Sequence, residues 1–160
     1  MFLFIARHAW AGEHGDPRWP DDSLRELTPE GIERYAKVVK ALADRGFDPG
    51  HIATSPYTRC RQTADLIAKH VKGKPKIEEL DALKPGSEIE PLLGWSRSQN
   101  GADVCWVGHS PDVEYLAAEL IGSAHVRFAK GSVAAIDIGS DVTPGDGQLH
   151  WLITAKTLGL

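Results

Sequence analysis

Three short segments of this 160-residue chain carry side chains whose types could do chemistry together: Arg7-His8, Ser55-Pro56-Tyr57-Thr58-Arg59 and His109-Ser110-Pro111. Arginine stays charged and presents a planar fork that matches phosphate oxygens two at a time. A histidine beside arginines has its cationic form disfavoured, so it stays neutral and nucleophilic near pH 7. Two arginines and two histidines around one point could hold a phosphoryl group. A neutral imidazole could then attack phosphorus while the positive groups stabilise charge on the equatorial oxygens. Taken alone, each residue has a plain structural reading. His8 could be a core histidine, Arg59 a helix residue in a surface ion pair, and His109 a helix-entry residue. The chemistry requires that the three segments converge.

The elements around them would bring that about if the strands that precede the segments are neighbours. Phe2 to Ala6 is a short continuous apolar run, the pattern of a strand buried on both faces. His51 to Thr54, Lys76 to Glu79 and Asp103 to Val107 read as further strands, and Ser132 to Ile138 and Gln148 to Thr154 as a last pair. Asp141 to Gly147 turns between that pair as a hairpin. Thr28-Pro29 starts a helix with Thr as cap and Pro at the first position; its apolar stripe is Ile32, Tyr35, Ala36, Val39, Leu42 and Ala43. Ser55-Pro56 and Ser110-Pro111 read as the same cap-then-proline start. The first leads a helix burying Cys60, Ala64, Ile67, Ala68 and Val71. The second leads one with Val113, Leu116, Ala117, Leu120 and Ile121 on one face. A less regular helix containing Pro91 runs from about Ser87 to Ser98. Strands alternating with helices give an α/β three-layer sandwich, a mostly parallel central sheet with helices on both faces. In such sheets ligands bind at the carboxyl ends of strands, where helix N-termini favour anions. Arg7-His8, Ser55 to Arg59 and His109 all follow strands.

Composition narrows the function classes. At ~150 residues per domain the chain reads as a single domain, 1–160. With 42% hydrophobic and 25% charged residues it is neither disordered nor low-complexity. A net charge of −4 without a basic run argues against nucleic acid as a partner. No apolar run approaches the ~18 residues of a membrane span. The start is too short for a signal peptide, and two cysteines do not make a secreted scaffold, so the expected location is cytoplasmic. Cys60 and Cys105 read as small hydrophobes, Arg61 as a solvated helix residue, and His14, His51, His70, His125 and His150 as surface or structural. Trp10 and Trp19 follow His8 in a loop, where they would either wall a pocket mouth or pack on the surface. No His-Glu-x-x-His and no cysteine pair is present, and arginines beside His8 would repel a divalent ion. No metal and no cofactor is expected.

The segments together resemble the histidine phosphatase superfamily. Arg7-His8-Ala9 is similar to its arginine–histidine–glycine signature, and Leu27-Thr28-Pro29-Glu30-Gly31 to its leucine–threonine–x–x–glycine helix start. Ser55 to Ala64 resembles its second phosphate-binding segment, and Gly108-His109-Ser110-Pro111 its glycine–histidine–x–proline segment. The short chain and the alanine variant resemble the SixA-type phosphohistidine phosphatases. The resemblance implies a phosphoglycerate-mutase-like fold, His8 as nucleophile, and Arg7, Arg59 and His109 as phosphate-binding and catalytic residues. It implies a phosphohistidine-carrying protein as partner, or else a small phosphorylated substrate. It also calls for a general acid after the third strand, where Glu79 and Asp81 are the candidates. A phosphoramidate leaving group can carry its own proton, which would lessen the need for one. Two rival readings remain: a small-molecule phosphomonoesterase or mutase, and a silent phosphate-binding module.

Overall fold

A computed structural model describes residues 1–122 and 125–160. Six strands form one sheet: β1 (Phe2–Arg7), β2 (His51–Thr54), β3 (Lys76–Glu79), β4 (Val104–Gly108), β5 (Val133–Asp137) and β6 (Gln148–Ile153). Their spatial order is β3-β2-β4-β1-β5-β6. The first four run parallel, while β5 lies antiparallel to β1 and β6 antiparallel to β5. Four helices pack on the sheet: α1 (Pro29–Ala43), α2 (Thr58–His70), α3 (Ile89–Arg97) and α4 (Asp112–Ile121).

Alternation along the buried strands gives the sheet two cores. On β1, Phe4 and Ala6 face one layer with Tyr35, Val39 and Leu42 of α1 and Ala64 and Ile67 of α2. Leu3 and Ile5 face the other with Leu92 and Leu93 of α3 and Leu116 and Leu120 of α4. At roughly 25 cal/mol per Å² of apolar surface, these two layers supply the main driving force for the fold. The three-layer α/β reading of the sequence therefore holds. Pro91 is tolerated because it is the third residue of α3, where its missing N–H would have no intrahelical partner.

Local details differ. Thr28 caps α1 as expected, its Oγ1 accepting from the Gly31 N–H at 2.9 Å. Neither Ser55 nor Ser110 caps a helix. The N-caps of α2 and α4 are Tyr57 and Pro111, each without a side-chain cap bond, and the Ser110-Pro111 bond is cis. Both serines are engaged elsewhere, as described below. Ile32, expected in the stripe of α1, is 38% exposed because it sits one position off the face that Gly31, Tyr35 and Val38 bury.

Candidate active site

The site exists because β2, β4 and β1 are neighbours. Register pairs Arg7 with Gly108 and Thr54 with Val107, so three strands end side by side and release their next residues at one place. His8 leaves β1, His109 leaves β4, and Ser55 leaves β2, with Arg59 on the first turn of α2. His8, Arg59 and His109 are 7%, 4% and 3% exposed, and with Arg7 they line a solvent-open cavity of about 620 Å³.

His8 is held by its own backbone surroundings. Its N–H donates to the Gly108 carbonyl at 3.0 Å and its carbonyl accepts from Gly131 N–H at 3.1 Å. Ring atom Nδ1 lies 2.8 Å from the Ala9 carbonyl. A carbonyl only accepts, so Nδ1 carries the proton and the lone pair is on Nε2. Alanine thus serves where the superfamily signature has glycine: Ala9 is not among the residues with positive φ, and its carbonyl is in place. The loop beyond is pinned to α1. Trp10 O accepts from Thr28 N–H, and a side chain at Gly31 would put its Cβ 2.3 Å from that same oxygen. The glycine of the helix-start signature is therefore a close-approach position.

His109 meets Arg59 Nη2 at 3.2 Å through Nδ1 and Ser55 Oγ at 2.9 Å through Nε2. Guanidinium can only donate, so Nδ1 accepts and Nε2–H donates to Ser55. Its ring centroid is 5.6 Å from that of His8. Burial, followed by the charges of Arg59 and other cations, pulls His109 down to about 3, against the opposing charge of Asp22. Burial also dominates at His8, joined by Arg59, His109 and Arg7, and brings it to about 3 despite the Ala9 bond. Both imidazoles are neutral at physiological pH, and His8 offers a free Nε2 lone pair. Cys60 Sγ lies 3.4 Å from His109 Nε2, but burial pushes the thiol up to about 12, so it stays a small packed side chain.

The arginines face inward with donors to spare. Arg7 Nη1 donates to Phe128 O at 2.8 Å and Arg59 Nη1 to Asp22 O at 2.9 Å. The Nε of each is buried without a protein acceptor. Burial works against both charges, and an anion between them would relieve that cost.

Two wall residues escaped the sequence reading. Asp22, in a short 3-10 turn (Asp22–Leu24), sets its carboxylate 3.2 Å from Arg59 Nη2, 2.8 Å from Arg25 Nε and 3.1 Å from His14 Nδ1. Partial burial opposes its charge. The bonds from Arg25 and His14 and the charges of Arg59 and Arg25 outweigh this and hold it at about 2. Asp22 is therefore a fixed carboxylate and no proton donor near neutrality. Arg25 stands beside it and donates to Gly12 O at 2.7 Å. Nothing in the sequence singled out Asp22 among the acids of its loop.

Other expectations need correction. Glu79 and Asp81, the candidate acids, do not line the cavity. Glu79 is exposed and bonded to Arg61 at 3.2 Å, and Asp81 is exposed and paired with Lys84 at 2.9 Å. The reason is geometric: β3 is the edge strand, with β2 and β4 between it and β1, so the residues that follow it stand to one side of His8. Trp10 and Trp19 do not line the cavity either; Trp10 lies under Arg34 at 4.1 Å, and Trp19 packs on Gly12. Among the described residues no three His, Cys, Asp or Glu side chains converge as a metal shell, and no helix is long and apolar enough to cross a membrane.

Comparison with known proteins points the same way. The model of the histidine phosphatase superfamily (branch 1) matches residues 3–85. An uncharacterized protein of Picosynechococcus is 30% identical, covering 99% of both chains. Phosphohistidine phosphatase SixA of Escherichia coli is 24% identical over 99% of this chain and 96% of its own. The structure of the protein histidine phosphatase SixA complexed with tungstate superposes with a TM-score of 0.86 over 99% of both chains, at 23% identity. That likeness establishes a shared fold.

Proposed function

The chain belongs to the histidine phosphatase superfamily (branch 1), and from that premise we propose that it is a metal-independent phosphatase that removes phosphate from phosphohistidine on a partner protein. His8 Nε2 attacks phosphorus, the bond to the substrate's imidazole nitrogen breaks, and the phosphoryl group passes to His8. Water then attacks the phospho-His8 intermediate, releases inorganic phosphate and restores the free Nε2. Arg7 and Arg59 hold the non-bridging oxygens, and His109 sits beside them as a neutral partner. The observation that carries this reading is the His8 ring, its Nδ1 proton directed at Ala9 O and its Nε2 free, in a cavity that Arg7 and Arg59 also line.

The choice of substrate rests on two features. Of the carboxyl groups that line the cavity, Asp22 is held ionised, Asp112 accepts from Gly86 N–H and Glu13 is exposed at the mouth, while Glu79 and Asp81 lie elsewhere. The imidazole of a phosphohistidine can leave as a neutral ring once its other nitrogen carries a proton, whereas an alkyl ester must expel a strongly basic alkoxide unless an acid protonates it. The cavity is also open to solvent, with the Gly12–Glu26 loop standing as a rim, which suits a side chain presented on another protein.

Acid-labile, base-stable phosphate should be trapped on the protein when turnover is quenched. His8→Ala should lose both the trapped phosphate and several powers of ten in rate while melting normally. Undiminished turnover in His8→Ala would sink the mechanism. On substrate, kcat/KM for a phosphohistidine protein should exceed that for 3-phosphoglycerate by ~100-fold or more. The reverse preference would favour a small-molecule phosphomonoesterase on the same machinery.

A further inference from the structure

The chain carries a net charge of −4, yet one side of the cavity mouth has the opposite sign. The described part of the segment leading into β5, His125 to Ser132, contains Arg127 and Lys130 and no acid. Both are exposed, as is Lys156 just beyond β6. None of the three forms an ion pair among the described residues. Two surface hollows run outward from the cavity along this segment. One, of about 510 Å³, shares Arg7 and Ser110 with the cavity and is walled by Arg127 and Phe128. The other, of about 450 Å³, shares Lys130 with it and is walled by Arg34, Trp10 and Lys156.

Of the nearby acids, Glu33 pairs with Lys37 at 3.0 Å and Glu30 is exposed beside Arg34. Glu114 accepts from Phe128 N–H at 3.1 Å and Ser110 Oγ at 3.3 Å, which fixes the basic segment against α4. Elsewhere on the mouth the balance reverses. Glu13 is exposed there, and Asp112 accepts from Gly86 N–H at 2.9 Å. The mouth is therefore mixed in charge, with exposed cations along the segment before β5 and the carboxylates of Glu13 and Asp112 elsewhere on its edge.

We propose that Arg127, Lys130, Lys156 and Arg34 form a docking strip for acidic side chains flanking the phosphorylated residue of a partner protein. The inference rests on the reading of the site as a phosphoprotein phosphatase and adds which flank the partner must carry. A phosphoryl group seated on His8 places its neighbours over the two hollows, because these open directly from the cavity. Exposed lysine and arginine are strongly hydrated, so the strip acts on encounter rate and orientation more than on burial. The carboxylates of Glu13 and Asp112 repel the same flank and so set which way round the partner binds.

The test uses four synthetic peptides: phosphohistidine or phosphoserine at the centre, each with a flank of Asp and Glu or of Ser. Para-nitrophenyl phosphate serves as a flankless control. At low salt the acidic flank should raise kcat/KM by ~10-fold, and the gain should vanish at 0.5 M salt, roughly where the Debye length falls to a few Å. Arg127→Glu combined with Lys156→Glu should abolish the gain and leave para-nitrophenyl phosphate turnover unchanged. Equal rates for acidic and neutral flanks overturn the strip. So does a parallel loss on para-nitrophenyl phosphate, or competition by a single-stranded oligonucleotide as strong as by the acidic peptide. The histidine–serine contrast is separate: turnover of phosphoserine alone overturns the phosphohistidine reading, while the flank contrast still tests the strip. Turnover of para-nitrophenyl phosphate with no turnover of any of the four peptides overturns both.

Discussion

The floor of the cavity and its rim are made differently. On the floor, His8, Arg59 and His109 are all at least nine-tenths buried, and each is tied to the protein by a hydrogen bond of 2.8 to 3.2 Å. His8 and His109 follow strands that the sheet holds in register, and Arg59 stands on the first turn of α2. The rim is a loop and a basic segment, with Glu13, His14, Arg127 and Lys130 exposed. A group on the floor cannot move without disturbing β1 or β4, whereas one on the rim can. Preorganised charge lowers a barrier because it needs no reorganisation during reaction, so the floor suits chemistry and the rim suits recognition. Asp22 spans both, reaching Arg59 below and His14 above.

The contrast breaks most visibly within one helix. Arg59 and Arg61 are two residues apart, one on the floor and one on the surface. Arg59→Lys should lower kcat/KM by ~100-fold, since lysine cannot reproduce the fork that meets Asp22 and His109 and still offers a donor inward. Arg61→Lys should stay within ~2-fold, because Arg61 only pairs with Asp65 and Glu79 at the exposed surface. Steady-state kinetics on the two variants side by side decides this. Equal losses would mean that the floor is misassigned.

How much of this could be read from the chain follows the same division. The pieces of the floor are legible because short, fully apolar strands announce themselves and the residues after them stand at strand ends. Their convergence depends on β2, β4 and β1 being neighbours, which is a fact of the sheet and not of the sequence. Loops have no such period. Asp22 sits among Asp16, Asp21 and Glu26 with nothing in its spacing to mark it. The Ser-Pro pairs misled for a related reason. A cap and a strand-end hydroxyl look alike in sequence, and Ser55 is the latter, accepting from His109 at 2.9 Å. The search for an acid after β3 went astray because sequence order does not reveal that β3 is the edge strand.

Asp22 offers a sharper and smaller test of the division. Asp22→Asn keeps the backbone carbonyl that accepts from Arg59 Nη1 but removes the negative charge beside Arg59 and Arg25. The cavity becomes more positive, so an anionic substrate should bind no worse. Arg59 loses a constraint, so the transition state should be held less well. The expected signature is a ~10-fold fall in kcat with KM unchanged or lower, about 1.4 kcal/mol and within the scale of one hydrogen bond to a charged group. A raised KM with normal kcat would instead make Asp22 part of the rim alone.

The smallest effect is expected where a general acid was first sought. Glu79 and Asp81 follow β3, yet each belongs to an exposed pair, with Arg61 at 3.2 Å and Lys84 at 2.9 Å. Exposed pairs of this kind contribute roughly 0–1 kcal/mol to stability and are screened by salt. Neither carboxylate lines the cavity, so neither can reach a leaving group held over His8 by hydrogen-bond contact, which proton transfer requires. Glu79→Gln and Asp81→Asn, singly and together, should leave kcat/KM within ~2-fold on both a phosphohistidine peptide and an aryl phosphate. A third substrate, an alkyl phosphate, makes the test discriminating: a phenoxide leaves readily without a proton, whereas an alkoxide needs one, so a contributing acid would show there first. A loss of ten-fold or more confined to alkyl phosphates, whose leaving groups need the proton most, would place one of these carboxyls back in the reaction.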